Sequence, residues 1–185
     1  MRCGARLSTV CLLGAAMAIR SAAGGVTDLA GSDRDPFEGH AAAVVLVFVQ
    51  PDCPISNRYA PELRRIARDY APGGARLWAV YAGDVTPSAA RSHHGRYLPE
   101  LPALLDPDME LVAEAEVTVT PEVALFLPDR TLAYRGRIDD RYVSFGRQRA
   151  YATRRDLVAA LDAVLGGSLP ETRATEAIGC FLVTP

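Results

Sequence analysis

The sequence has no lysine: each of its 20 basic residues is an arginine, and these are scattered among 22 acidic residues for a formal net charge of -2. Without a cluster of positive charge there is no electrostatic footprint for a phosphate backbone, which excludes nucleic acid as a partner. There is also no apolar stretch of about 20 residues, the length a helix needs to span a bilayer. Internal repeats and a second domain are absent as well. What remains, 185 residues of which 49% are hydrophobic, suits one packed core and excludes disorder of the whole chain.

The N-terminus reads as an export signal over residues 1–23. Arg2 and Arg6 precede an apolar run from Leu7 to Ile19, and Ser21-Ala22-Ala23 offers the small residues a signal peptidase accepts. Cys11 lacks a small residue immediately before it and is no lipidation site. Removing this leader removes Cys3 and Cys11, so the exported chain keeps Cys53 and Cys180, in a compartment where disulfides persist. Secretion or a periplasmic location follows, with no integral membrane span once the leader is cleaved and a membrane tether if it is not.

Residues 24–42 are rich in Gly, Ala and Asp and read as a lead-in with little regular structure. The run from Ala43 to Val49 is apolar throughout and β-branched, as befits a central strand covered on both faces. From Pro54, the residues Ile55, Tyr59, Leu63, Ile66 and Tyr70 recur at helical spacing until Pro72-Gly73-Gly74 stops the helix. A second strand follows over Arg76 to Tyr81, then a helix opened by Thr86-Pro87 and running towards Tyr97. Leu104-Leu105 predicts a short strand and Met109 to Ala115 a short helix. Val123–Leu127 and Leu132–Arg135 flank Pro128-Asp129-Arg130 as an antiparallel hairpin. A last helix, capped by Thr153, ends at Gly166-Gly167, and a tail over 167–185 carries Cys180. The order βαβα, hairpin, helix predicts an α/β domain over 43–166, a mixed sheet flanked by helices.

The residue with the clearest chemistry is Cys53, placed between the strand and the helix in Cys53-Pro54-Ile55-Ser56. At a helix N-terminus, free backbone N–H groups and the positive end of the dipole favour a thiolate. Cysteines so placed titrate at roughly 3.5 to 7.5 instead of about 8.5, and only the thiolate is a good nucleophile. Asp52 opposes that shift. The plain alternative is a structural cysteine buried at a strand end.

Strand, Cys-Pro, helix and a later Thr120-Pro121 before the hairpin together resemble the thioredoxin superfamily, in particular the redoxin branch of alkyl hydroperoxide reductase and thiol-specific antioxidant proteins, over roughly residues 40–165. The resemblance implies a thioredoxin-like mixed sheet flanked by helices. It further implies a thiol oxidoreductase with no cofactor, fed by an external thiol reductant and acting on a peroxide or a protein disulfide. It makes Cys53 the nucleophile and Thr120-Pro121 a cis peptide against it, where the backbone of Thr120 pairs with an extended substrate. Ser56 would support the thiolate by a hydrogen bond. Two departures narrow this. Ser56 stands where the second cysteine of Cys-x-x-Cys would be, so no local disulfide can form. Gln50 and Leu46 stand where peroxiredoxins carry their threonine and proline; the Gln50 amide can donate to a thiolate or peroxide oxygen, or simply close the strand end.

Cys180 lies in an apolar island, Ala177 to Leu182, which should dock on the domain. Three arrangements stay open for it: a resolving thiol that attacks an oxidised Cys53, a permanent staple worth about 5 kcal/mol by loop closure, or no pairing. No metal is expected. Adjacent histidines on a helix point roughly 100° apart, so His93 and His94 cannot share one ion and belong to an exposed polar face. A non-catalytic module binding copper(I) through Cys53, Cys180 and a histidine such as His40, or binding a partner protein, is the alternative. The charged run from Gly136 to Tyr142 reads as a solvated ion-pair loop around Asp139 and Asp140.

Overall fold

In the computed structural model, residues 25–182 are described; the predicted leader lies outside them. The elements follow in the order β1 (Thr27–Asp28), β2 (Ala43–Phe48), α1 (Pro54–Tyr70), β3 (Ala75–Ala82), α2 (Pro87–Tyr97), β4 (Ala103–Asp106), α3 (Glu110–Ala115), β5 (Val119–Thr120), β6 (Glu122–Phe126), β7 (Leu132–Gly136), β8 (Tyr142–Ser144), β9 (Arg147–Gln148), α4 (Asp156–Leu165) and β10 (Cys180–Phe181). Six strands form one sheet in the order β1-β4-β3-β2-β6-β7. Within it β2, β3 and β4 run parallel, while β6 is antiparallel to β2 and to β7.

Strand β2 is buried at every position because both faces of the sheet are covered. Val45 and Val47 pack with Leu63 and Ile66 of α1 and Leu157 and Leu161 of α4. Val44, Leu46 and Phe48 pack on the other face with Leu111 and Val112 of α3 and with Leu182 of the tail. Helix α1 starts with proline at its first turn, where the missing N–H has no partner to lose. It buries the Ile55, Tyr59, Leu63, Ile66 stripe read from the sequence. A 3-10 turn over Ala71–Gly73 then leads to Gly74 at φ 88, a left-handed position open to glycine at no steric cost.

Three expectations need correction. The lead-in is not wholly irregular: β1 pairs with β4 and edges the sheet. Thr153 does not cap α4, which begins at Asp156; its N–H and its hydroxyl both donate to Asp140 instead. The Asp139 and Asp140 carboxylates are buried, not solvated. Asp139 accepts from the Tyr59 hydroxyl and the Arg141 N–H, and Asp140 accepts from the Arg154 N–H besides Thr153. A buried carboxylate needs compensating donors or charge, and the loop folds inward to supply them: both Asp140 oxygens accept hydrogen bonds, while Asp139 takes two on Oδ1 and faces the Arg141 guanidinium with Oδ2 at 3.5 Å.

Candidate active site

The C-terminal end of β2 delivers Cys53 to the start of α1 through a tight turn. The Cys53 N–H donates to the Gln50 carbonyl at 3.1 Å, and the Cys53 carbonyl accepts the first helical N–H, that of Asn57, at 3.2 Å. Cys53 is the helix N-cap, in extended conformation. Its residue is 1% exposed, and its thiol donates to the Thr120 carbonyl at 3.0 Å. The Thr120-Pro121 peptide is cis.

The tail reaches the same point by way of β7, the edge strand of the sheet. Residues 173–175 run along β7: the Arg135 N–H donates to Arg173 O, and the Thr175 N–H donates to Arg135 O, each at 3.0 Å. The Thr175 hydroxyl meets Tyr134 Oη at 2.7 Å and accepts the Arg137 N–H at 3.1 Å. From this post the chain crosses to β5, where β10 pairs antiparallel with Cys180 opposite Thr120 and Phe181 opposite Val119. The Leu182 N–H donates to Thr118 O at 3.0 Å. Close approach requires a glycine just before the cysteine, since a Cβ on Gly179 would lie 2.2 Å from the Thr120 oxygen. The result is Cys180 Sγ at 2.7 Å from Cys53 Sγ.

The two sulfurs are unequal. Burial opposes ionisation of Cys53, but hydrogen bonds from the Cys180 thiol and from the Ser56 side chain and backbone outweigh it and hold the Cys53 thiol below its ordinary value. The Ser56 hydroxyl is buried and makes no other hydrogen bond among the described residues, so it is free to turn towards a thiolate. Burial, the bond donated to Cys53 and the adjacent charge push Cys180 up to about 12. A single negative charge on the pair therefore resides on Cys53.

No protein-family model and no curated protein matches the sequence. Solved structures do. A conserved protein from Geobacillus kaustophilus is similar over 85% of this chain and 86% of its own, with a TM-score of 0.73 and 26% identity. A thioredoxin-like protein from Aeropyrum pernix is similar over 60% and 78%, with a TM-score of 0.52 and 18% identity. A secreted disulfide oxidoreductase from Mycobacterium tuberculosis is similar over 58% and 78%, with a TM-score of 0.50 and 24% identity. The fold is thioredoxin-like.

On this thioredoxin-like frame the structure brings together Cys53, Cys180, Thr120, Pro121 and Ser56. Gln50 contributes its backbone carbonyl to the turn; among the described residues its amide makes no hydrogen bond. His93 is the residue the sequence reading misplaced. It is 5% exposed, with Nδ1 at 2.8 Å from the Tyr81 hydroxyl and Nε2 at 2.7 Å from Asn57 Oδ1. Asn57 Nδ2 in turn donates to Pro51 O at 3.3 Å, so the chain Tyr81, His93, Asn57 braces the turn that carries Cys53. The signal for this was available: His93 lies three residues after Ala90, the other buried residue of α2. His94 bonds the Leu101 carbonyl and His40 is exposed. Among the described residues no group of three or more His, Cys, Asp or Glu is placed to hold a metal ion, and no helix is long and apolar enough to cross a membrane. Sequence reasoning also missed a pocket of about 250 Å³ beside the pair, formed where the β8–β9 hairpin faces the first turn of α1 and lined by Pro54, Ile55, Arg58, Tyr142, Phe145 and Cys180 among others.

Proposed function

We propose that the chain is an exported thiol oxidoreductase of the redoxin kind whose working unit is the Cys53–Cys180 pair, cycling between dithiol and disulfide. The observation that carries this is the 2.7 Å approach of the two sulfurs at the N-terminus of α1, one thiol held low and the other high. In the dithiol form the tail is held by non-covalent contacts alone, and its release lets the Cys53 thiolate attack one sulfur of a substrate disulfide, expelling the other as a thiolate. Cys180 then attacks Cys53 Sγ, loses its proton to solvent and displaces the second substrate thiol. One disulfide is reduced and one formed. A peroxide is the alternative oxidant, leaving a Cys53 sulfenic acid that Cys180 resolves with loss of water. The similarity to a secreted disulfide oxidoreductase from Mycobacterium tuberculosis supports the disulfide reading and the export.

Mass spectrometry of the purified protein before and after mild oxidant tests this. The expected result is a Cys53–Cys180 disulfide whose formation disappears in Cys53→Ser. Persistence of two free thiols, with a Cys53 pKa near or above about 8.5, would sink the proposal.

A further inference from the structure

The closing half of the cycle, in which an outside thiol reduces the pair, meets a geometry unlike the opening half. Once Cys53 and Cys180 are joined, the tail is covalently fixed where the structure shows it, because the sulfurs are already close enough that bonding them requires no rearrangement of β10. Two consequences follow from contacts described above. The edge of β5 is then occupied: Val119 and Thr120 are paired with Phe181 and Cys180, and Thr118 O accepts from Leu182. An extended polypeptide reductant has no strand edge there to pair with. Cys53, 1% exposed, is also shielded, whereas Cys180 is half-buried and forms a wall of the 250 Å³ pocket.

We infer that this pocket is the entry site for a low-molecular-mass thiol reductant, and that the sulfur it attacks is Cys180. The inference rests on the proposed dithiol–disulfide cycle and names its electron donor by class. The pocket lies below the volume range of about 300–1,000 Å³ usual for drug-sized ligands, and its walls are largely apolar with Arg58 as the one charge, suited to drawing in an anionic thiolate. The step balances. The thiolate R–S⁻ attacks Cys180 Sγ, the Cys53–Cys180 bond breaks, and its electron pair leaves on Cys53 Sγ, where the helix N-terminus and Ser56 receive the charge. A second R–S⁻ attacks the R sulfur of the mixed disulfide, giving R–S–S–R and a Cys180 thiolate that takes a proton from solvent. Two small thiols are oxidised and one protein disulfide is reduced.

The test uses the oxidised protein, glutathione, and a short extended cysteine peptide of matched thiol pKa. After brief reaction with glutathione and acid quench, peptide mapping should place the adduct on Cys180 and a free thiol on Cys53. Glutathione should reduce the pair about tenfold faster than the peptide, which cannot gain strand hydrogen bonds without losing those of β10. Arg58→Glu should slow glutathione several-fold. An adduct on Cys53, or equal rates for the two thiols, overturns the inference while leaving the cycle standing. Failure to form any Cys53–Cys180 disulfide beforehand overturns the cycle itself.

Discussion

Cys53 and Cys180 meet at one point, yet the structures that carry them differ in kind. Behind Cys53 stand the central strand β2, buried at every position, and the seventeen-residue helix α1, whose inner face is sealed against the sheet. Behind Cys180 stand a two-residue strand, one threonine post and a leucine at the margin of the second core cluster. The first is fixed by burial of apolar surface over the whole domain. The second is fixed by a few backbone bonds near the surface, the class of structure that opens locally without global unfolding. A thiol pair built this way has one immovable member and one that can be lifted away, leaving Ser56 and the helix N-terminus to hold the Cys53 thiol low.

The sharpest way to break the contrast is to damage the immovable side. Leu63→Ala, at a position with no exposure between α1 and the sheet, should cost about 2–5 kcal/mol in a urea titration. A loss under about 1 kcal/mol there would show that Cys53 does not depend on the core as argued.

The releasable side predicts a smaller, different effect. Thr175→Ala removes the hydroxyl shared by Tyr134 and Arg137 and should cost about 1–2 kcal/mol globally. In the reduced protein it should accelerate alkylation of Cys180 several-fold. Unchanged alkylation would mean that β10 holds the tail without its post.

The least effect concerns the brace beneath Cys53. Burial, then the neighbouring His94, lower the His93 pKa below its ordinary 6.5, with Asp52 opposing. A base whose folded value is depressed contributes stability above its unfolded pKa and loses it as pH falls. Stability should therefore decline as pH drops from about 6.5 towards the lowered folded value. His93→Phe, which fills similar space but does not titrate, should be less stable at neutral pH and flatter in that window. An equal slope in both proteins would remove His93 as the cause.

Much of the immovable side was legible in the sequence. The Ala43–Val49 run, the periodic stripe of α1 and the hairpin turn are local signals, and Cys53 was placed by them at a helix start. The Thr120-Pro121 step and its nearness to Cys53 came through resemblance. The tail was legible only as an apolar island, because its register against β5 depends on contacts with residues some sixty positions earlier. Long-range partners explain the other misses too. Thr153 looks like a helix cap until the buried Asp140 competes for its N–H and hydroxyl, and Asp139 looks solvated until the Tyr59 hydroxyl is found pointing at it.

The separation of 127 positions between the two cysteines carries one more consequence. A chain is made from its N-terminus, so Cys53 exists long before Cys180 does. A neighbouring pair could bond in a half-made chain; this one meets in its native register only once β10 has paired with the edge of β5. In the proposed cycle, closing the pair in this register thus reports on β5 and β10 together, two elements some sixty positions apart that no local stretch of sequence brings into contact.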